Sequence, residues 1–197
     1  MHGLLLCHAE VAEAVAAFVT ATRYPFNTRG QAGFEEGRRG GGGQASAAQI
    51  WGLPVTEYMA KAEPWPLNPA GELLLGLKVE NKRALANRET LLAVPGVGFA
   101  EWGPGDMGMS LAEEYILPGY EANPDFAHDP PYGQEMQVAQ RNVLEACRAN
   151  GVVFYSTMRP PDWRELYAQG ARMSSSTPRT AEFIDELRRL AGRTMAV

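Results

Sequence analysis

Short apolar runs alternate with helical periods along this chain, and no tandem hairpin signals interrupt them. That alternation constrains the fold more than any other feature, because strands separated by helices pair in parallel with the helices packed outside. Leu4–Cys7 reads as a strand buried on both faces. Val11, Ala14, Val15, Phe18 and Val19 follow at helical spacing. Leu73–Val79 is a second buried strand, followed by a helix to about Leu92, ended by Pro95-Gly96. Gly98–Trp102 is a short strand, with a turn and a short helix near Met109–Tyr115 after it. Met136, Ala139, Val143, Leu144 and Cys147 make another helical stripe. Val152–Tyr155 reads as a strand, Asp162–Ala168 as a helix and Ala171–Ser174 as a weak strand. The last helix opens at Thr177-Pro178, a cap and first-turn pair, and buries Phe183, Ile184, Leu187 and Leu190. Residues 27–45, with seven glycines, and the proline-rich stretch Pro64–Pro69 read as irregular.

Five strand–helix units in 197 residues fit either an open doubly wound sheet or part of a (β/α)8 barrel, which typically needs about 250 residues. Residues 1–197 read as a single domain. The formal charge of −5 provides no basic footprint for nucleic acid. The longest strongly apolar stretch, Leu73–Leu77, is too short to span a bilayer. No cationic region precedes Leu4–Cys7, so a signal peptide is not expected. Cys7 and Cys147 do not make a disulfide framework and read as small buried hydrophobes in a reducing, cytoplasmic compartment.

Ligands of parallel α/β sheets bind at the carboxyl ends of the strands. Lys78-Val79-Glu80 closes one apolar run, and alternation puts Lys78 and Glu80 on the same face. Gly103-Pro104-Gly105-Asp106 follows the next strand, with glycines that admit a ligand close to the backbone and amides that can hold a carboxylate. The ordinary alternatives are a solvent-facing ion pair and a simple capped turn. His2, His8 and His128 lack metal-type spacing; His8 follows a strand and can face the site, although a hydrogen-bonded structural role is the more ordinary one for it. Glu80 and Asp106 end successive strands, and two carboxylates with water suit Mg²⁺ or Mn²⁺. No dinucleotide, Walker, GxSxG or CxxC motif offers a competing chemistry.

The stretch Gly76–Leu111, GLKVENKRALANRETLLAVPGVGFAEWGPGDMGMSL, resembles the HpcH/HpaI aldolase family of metal-dependent class II pyruvate aldolases, built on a phosphoenolpyruvate/pyruvate-type barrel. Val79-Glu80, Pro95-Gly96-Val97 and Gly103-Pro104-Gly105-Asp106-Met107 stand at that family's motif positions. Arg23-Tyr24-Pro25 is similar to its Arg-Tyr-Pro-Pro. Arg39-Gly40, Ala45-Ser46 and Trp51-Gly52 resemble a second motif. The resemblance is loose after Tyr132.

It implies a (β/α)8 TIM-barrel type fold of which the chain supplies about five C-terminal βα units, with an open parallel sheet as the alternative. It also implies a carbon–carbon lyase that cleaves a 4-hydroxy-2-oxo acid to pyruvate and an aldehyde, or condenses them. Glu80 and Asp106 would hold a divalent ion (Mg²⁺ or Mn²⁺, possibly Co²⁺), and Gly103, Pro104, Gly105 and Asp106 would bind substrate. The partners implied are the 2-oxo acid, the aldehyde and further copies of the chain, without nucleic acid or membrane.

The family's first three strands, with its acid/base histidine and an arginine, have no counterpart in the sequence. A shifted gene start, completion by oligomerisation and a degenerate open sheet would each account for that, and a chain alone is expected to bind metal or oxo acid with little turnover. The acid/base is therefore unassigned, with His8 and Lys78 as candidates; Lys78, which stands where the family usually has glutamine, could instead form a Schiff base. Ser174-Ser175-Ser176 replaces the family's Val-Gly-x-Asp.

Overall fold

The computed structural model describes residues 2–27, 36–111, 132–157, 163–175 and 180–192. Its centre is a parallel sheet. The strands are β1 (His2–Leu6), β2 (Pro64–Trp65), β3 (Leu73–Val79), β4 (Phe99–Trp102) and β5 (Val153–Tyr155). They pair in the order β1-β3-β4-β5, with β2 beside the first residues of β3. All pairings are parallel. The expected strand at Ala171–Ser174 is reduced to one bridge, Tyr155 to Met173.

Between the strands lie α1 (Ala12–Thr22), α2 (Gln44–Trp51), α3 (Val55–Lys61), α4 (Lys82–Ala86), α5 (Arg88–Leu92), α6 (Pro104–Leu111), α7 (Tyr132–Ala149), α8 (Trp163–Gln169) and α9 (Ala181–Leu190). Among the described residues, no helix is long and apolar enough to cross a membrane.

Among the described residues, the helices cover one face of the sheet. Leu77 and Val79 of β3, Ala100 and Trp102 of β4 and Phe154 of β5 are buried in one cluster with Val15, Leu91, Leu92, Met107, Val143 and Cys147 from the helices. Strand residues alternate faces, so Gly76, Lys78, Phe99, Glu101, Val153 and Tyr155 lie on the other. There the Phe99 ring lies over Gly76, where an added Cβ would come within 2.3 Å of it. Parallel strands with helices on one side are the arrangement of a barrel wall; a doubly wound sheet carries helices on both faces.

Several elements depart from their sequence reading. β1 is not buried on both faces: it is an outer strand, Leu4 is 49% exposed, and Cys7 lies beyond its end and is exposed. An apolar run reports hydrophobicity but not the presence of a neighbour. In α1, Val15 and Val19 are buried while Val11 is exposed.

The helix expected through Leu92 is two short ones meeting at Asn87, the first capped by the Asn81 side chain, which accepts from the Ala84 N–H at 2.8 Å. α6 begins at Pro104 rather than near Met109, so Pro104-Gly105-Asp106 is its first turn. The last helix is capped by Thr180, whose hydroxyl accepts from the Phe183 N–H, while Thr177 and Pro178 lie outside the described residues. Phe183 is its buried anchor and Leu190 is exposed.

Residues 36–45 and the proline-rich stretch hold more structure than their composition suggested, and residues 28–35 lie outside the described residues. Arg23 and Glu63, both fully buried, pair at 3.1 Å and tie the end of α1 to the segment entering β2. The Arg39 guanidinium lies 4.5 Å above the Tyr24 ring and hydrogen-bonds the Tyr58 hydroxyl, and burial raises the Tyr24 phenol above its ordinary range. The Arg23-Tyr24 and Arg39 motif residues thus build a packing cluster.

Candidate metal centre

Glu80 follows the last residue of β3 and is 1% exposed. Its Oε1 accepts the backbone N–H of His8 at 2.8 Å, and the His8 Nε2 lies 3.8 Å from the same oxygen. His8 reaches this position two residues beyond β1 with a positive φ of 50°, a conformation uncommon outside glycine. Its backbone amide points at the Glu80 carboxylate.

Asp106 lies on the first turn of α6, directly after β4, and its side chain is 53% exposed. Ligand atoms of His8, Glu80 and Asp106 all lie within 4.8 Å of one another. The structure thus brings together the two carboxylates and the histidine that the sequence singled out. His2 is elsewhere, stacked on Trp51 with ring centroids 4.4 Å apart; His128 and Ser176 lie outside the described residues.

Lys78 completes the cluster. Its Nζ is 2.8 Å from Glu80 Oε2 and donates to Asp106 Oδ2 at 3.3 Å. Glu80 Oε2 is itself buried and lacks a directed hydrogen bond despite this close ion pair. Bonding to Glu80 dominates the upward shift of the Lys78 ammonium, and Asp106 adds to it.

Gly103 makes this proximity possible: a Cβ there would come within 2.7 Å of Glu80 Cβ and 2.9 Å of Lys78 Cε. Its N–H donates to the Val79 carbonyl, and Pro104 has no N–H to give. Of the four residues read as an amide cradle, only Gly105 and Asp106 contribute first-turn amides without an intrahelical acceptor, and the space in front of Gly105 is open.

The sequence reading missed Glu101. It pairs in register with Lys78 across β3 and β4, so it faces the same side, and burial raises its carboxyl above the ordinary range. Only the register between the strands could have revealed it.

Two carboxylates and an imidazole form an oxygen- and nitrogen-rich donor set of the kind a divalent cation accepts, and an ammonium already stands between the carboxylates. The residues present therefore fit a divalent ion.

No protein-family model matches the chain. Its sequence is 32% identical over 148 residues to the 2-keto-3-deoxy-L-rhamnonate aldolase of Klebsiella pneumoniae subsp. pneumoniae, covering 75% of this chain and 45% of that protein. It is 31% identical over 148 residues to the hydroxypyruvate/pyruvate aldolase of Chromohalobacter salexigens, covering 75% and 46%. With the 2-keto-3-deoxy-L-rhamnonate aldolase of Escherichia coli K12 it shares 30% identity over 184 residues, covering 93% and 58%. The chain spans about half the length of these curated relatives.

Its fold is similar to the crystal structure of an HpcH/HpaI aldolase/citrate lyase family protein from Burkholderia cenocepacia J2315, with a TM-score of 0.66 at 22% identity, covering 96% of this chain and 63% of that one. An HpcH/HpaI aldolase from Desulfitobacterium hafniense DCB-2 gives 0.56 at 20% identity, covering 98% and 66%. The chain is thus similar in sequence to part of these curated aldolases and similar in fold to the HpcH/HpaI aldolases.

Proposed function

We propose that the chain acts in divalent-metal-dependent aldol cleavage of a 4-hydroxy-2-oxo acid to pyruvate and an aldehyde, or in the reverse condensation. The observation that carries this reading is the convergence of Glu80, Asp106 and His8 at the carboxyl ends of β3, β4 and β1, in a chain related to aldolases.

Glu80 and Asp106 would hold Mg²⁺, Mn²⁺ or Co²⁺, with His8 beside them. A bound ion there supplies Lewis-acid polarisation of a 2-oxo group. Glu80, buried and oriented by the His8 amide, would give the site a fixed oxygen ligand. The Gly105 and Asp106 amides at the start of α6 would receive the substrate carboxylate, as helix N-termini receive anions. His8, if it does not itself ligate the ion, would be the candidate to carry a proton. Lys78 is poorly suited to Schiff-base chemistry, because its pairing with two carboxylates favours the ammonium over the nucleophilic amine.

A second reading is binding of metal and oxo acid without turnover, with the Lys78 ammonium between the two carboxylates limiting how fully the ion loads. The test for both is pyruvate release by the full chain from oxaloacetate and from a 4-hydroxy-2-oxo acid, with Mg²⁺, Mn²⁺ or Co²⁺ and then with excess EDTA. Lyase function predicts release that EDTA abolishes. Oxaloacetate should be the faster substrate, since its decarboxylation needs no proton taken from a hydroxyl, a step in which general acid/base help is worth about 10²–10⁴-fold. Metal binding with no pyruvate from either substrate supports the second reading.

We further propose that copies of the chain associate through the exposed edge of β1, where Leu4 and Leu5 lie open, which sedimentation at micromolar concentration tests. The free cysteines suit a reducing compartment such as the cytoplasm.

A further inference from the structure

We propose that Lys78 is a tethered cation that fills the place of the divalent ion and must be displaced for the ion to bind. This inference rests on the metal reading of Glu80 and Asp106. Its basis is local. Lys78 Nζ is 2.8 Å from Glu80 Oε2 and 3.3 Å from Asp106 Oδ2, so one positive centre already contacts one oxygen of each carboxylate.

Lys78 and Glu80 are two residues apart at the end of one strand and therefore emerge on the same face. The lysine stem folds back across Gly103, whose missing side chain leaves the room it occupies. A cation touching Glu80 Oε2 and Asp106 Oδ2 must enter the space held by the ammonium. While the ammonium stays, two negative charges are offset by one positive charge. Removing it leaves both carboxylates to a divalent ion and removes the repulsion between ammonium and metal.

The same contacts supply a physical reason for a lysine here: a carboxylate buried as deeply as Glu80 requires a counter-charge when no metal is bound. The structure thus assigns Lys78 two linked roles, stabilising the metal-free site and opposing its loading.

The test is Mn²⁺ binding to the full chain, read from the signal of free Mn²⁺ by electron paramagnetic resonance, for wild type, Lys78→Gln, Lys78→Met and Lys78→Gln/Asp106→Asn. Both single variants should bind Mn²⁺ at least about tenfold more tightly than wild type, a difference of about 1.4 kcal/mol. The double variant should lose that gain. Thermal melts establish that each variant folds. On the wild-type chain, amine acetylation read by mass spectrometry should label Lys78 faster when Mn²⁺ is saturating. Equal or weaker Mn²⁺ binding by both single variants, or unchanged Lys78 labelling at saturation, overturns the inference and leaves the metal reading standing. If neither wild type nor the Lys78 variants bind Mn²⁺, the metal reading falls with it.

Discussion

The backbone amide of His8 donates to Glu80 Oε1 at 2.8 Å, joining the loop after β1 to the end of β3, a strand 72 residues later in sequence. This bond fixes the rotation of a carboxylate that has almost no solvent to orient it. Its second oxygen is thereby left facing Lys78 and Asp106, where a cation is needed.

Of the two carboxylates, Asp106 is the one that can be changed at little structural cost. It is more than half exposed on the first turn of α6, and exposed ion pairs are worth roughly 0–1 kcal/mol. Asp106→Asn should therefore leave the thermal melt close to wild type while lowering Mn²⁺ affinity by at least about tenfold, since a neutral amide replaces a charged ligand. Calorimetric titration alongside the melt checks both, and a variant that unfolds would mark Asp106 as structural.

Gly103 and Gly105 should behave oppositely although they are two residues apart. Gly103→Ala places a methyl against Glu80 and Lys78, and overpacking of this kind costs about 1–3 kcal/mol. Gly105→Ala meets no atom within 4 Å. Urea unfolding should show a clear loss for the first and nearly none for the second.

The Arg23–Glu63 pair predicts a larger effect away from the site. Both side chains are fully buried, so Arg23→Met strands a carboxylate in the interior, a change that costs about 3–5 kcal/mol. Adding Glu63→Leu removes the stranded charge and should recover much of the loss. Urea midpoints of the single and double variants measure this; equal losses in the two would show that the arginine's other contacts dominate.

The two cysteines should separate in reactivity. Burial pushes the Cys147 thiol up to about 12, whereas Cys7 is exposed after β1. At mildly alkaline pH iodoacetamide should label Cys7 in the native chain and reach Cys147 only after denaturation, which peptide mass spectrometry resolves.

How much of this was legible in the sequence follows from which signals are local. The end of β3 at Val79 and the placement of Glu80 and Asp106 after successive strands could be read, because an apolar run has a visible end and parallel sheets present those ends on one side. The exposure of β1 could not, since Leu4–Leu6 has the same composition whether or not a neighbour covers it. α2 and β2 were hidden for a different reason. α2 buries only Ala48 after a glycine run, and β2 is two residues beginning with a proline. Glu101 needed the β3–β4 register, and the Lys78 bridge needed a side-chain conformation; neither is encoded in spacing.

The central claim is that Glu80 and Asp106 together hold a divalent ion. A crystal structure of the full chain with Mn²⁺, phased on the anomalous signal of the metal, tests it most directly. An anomalous peak is expected, bonded to one oxygen of each carboxylate at about 2.0–2.2 Å, near the distances of a hard octahedral cation, with the Lys78 ammonium moved away. A saturating Mn²⁺ concentration that leaves no peak between the two carboxylates, with Lys78 still bridging them, would contradict it.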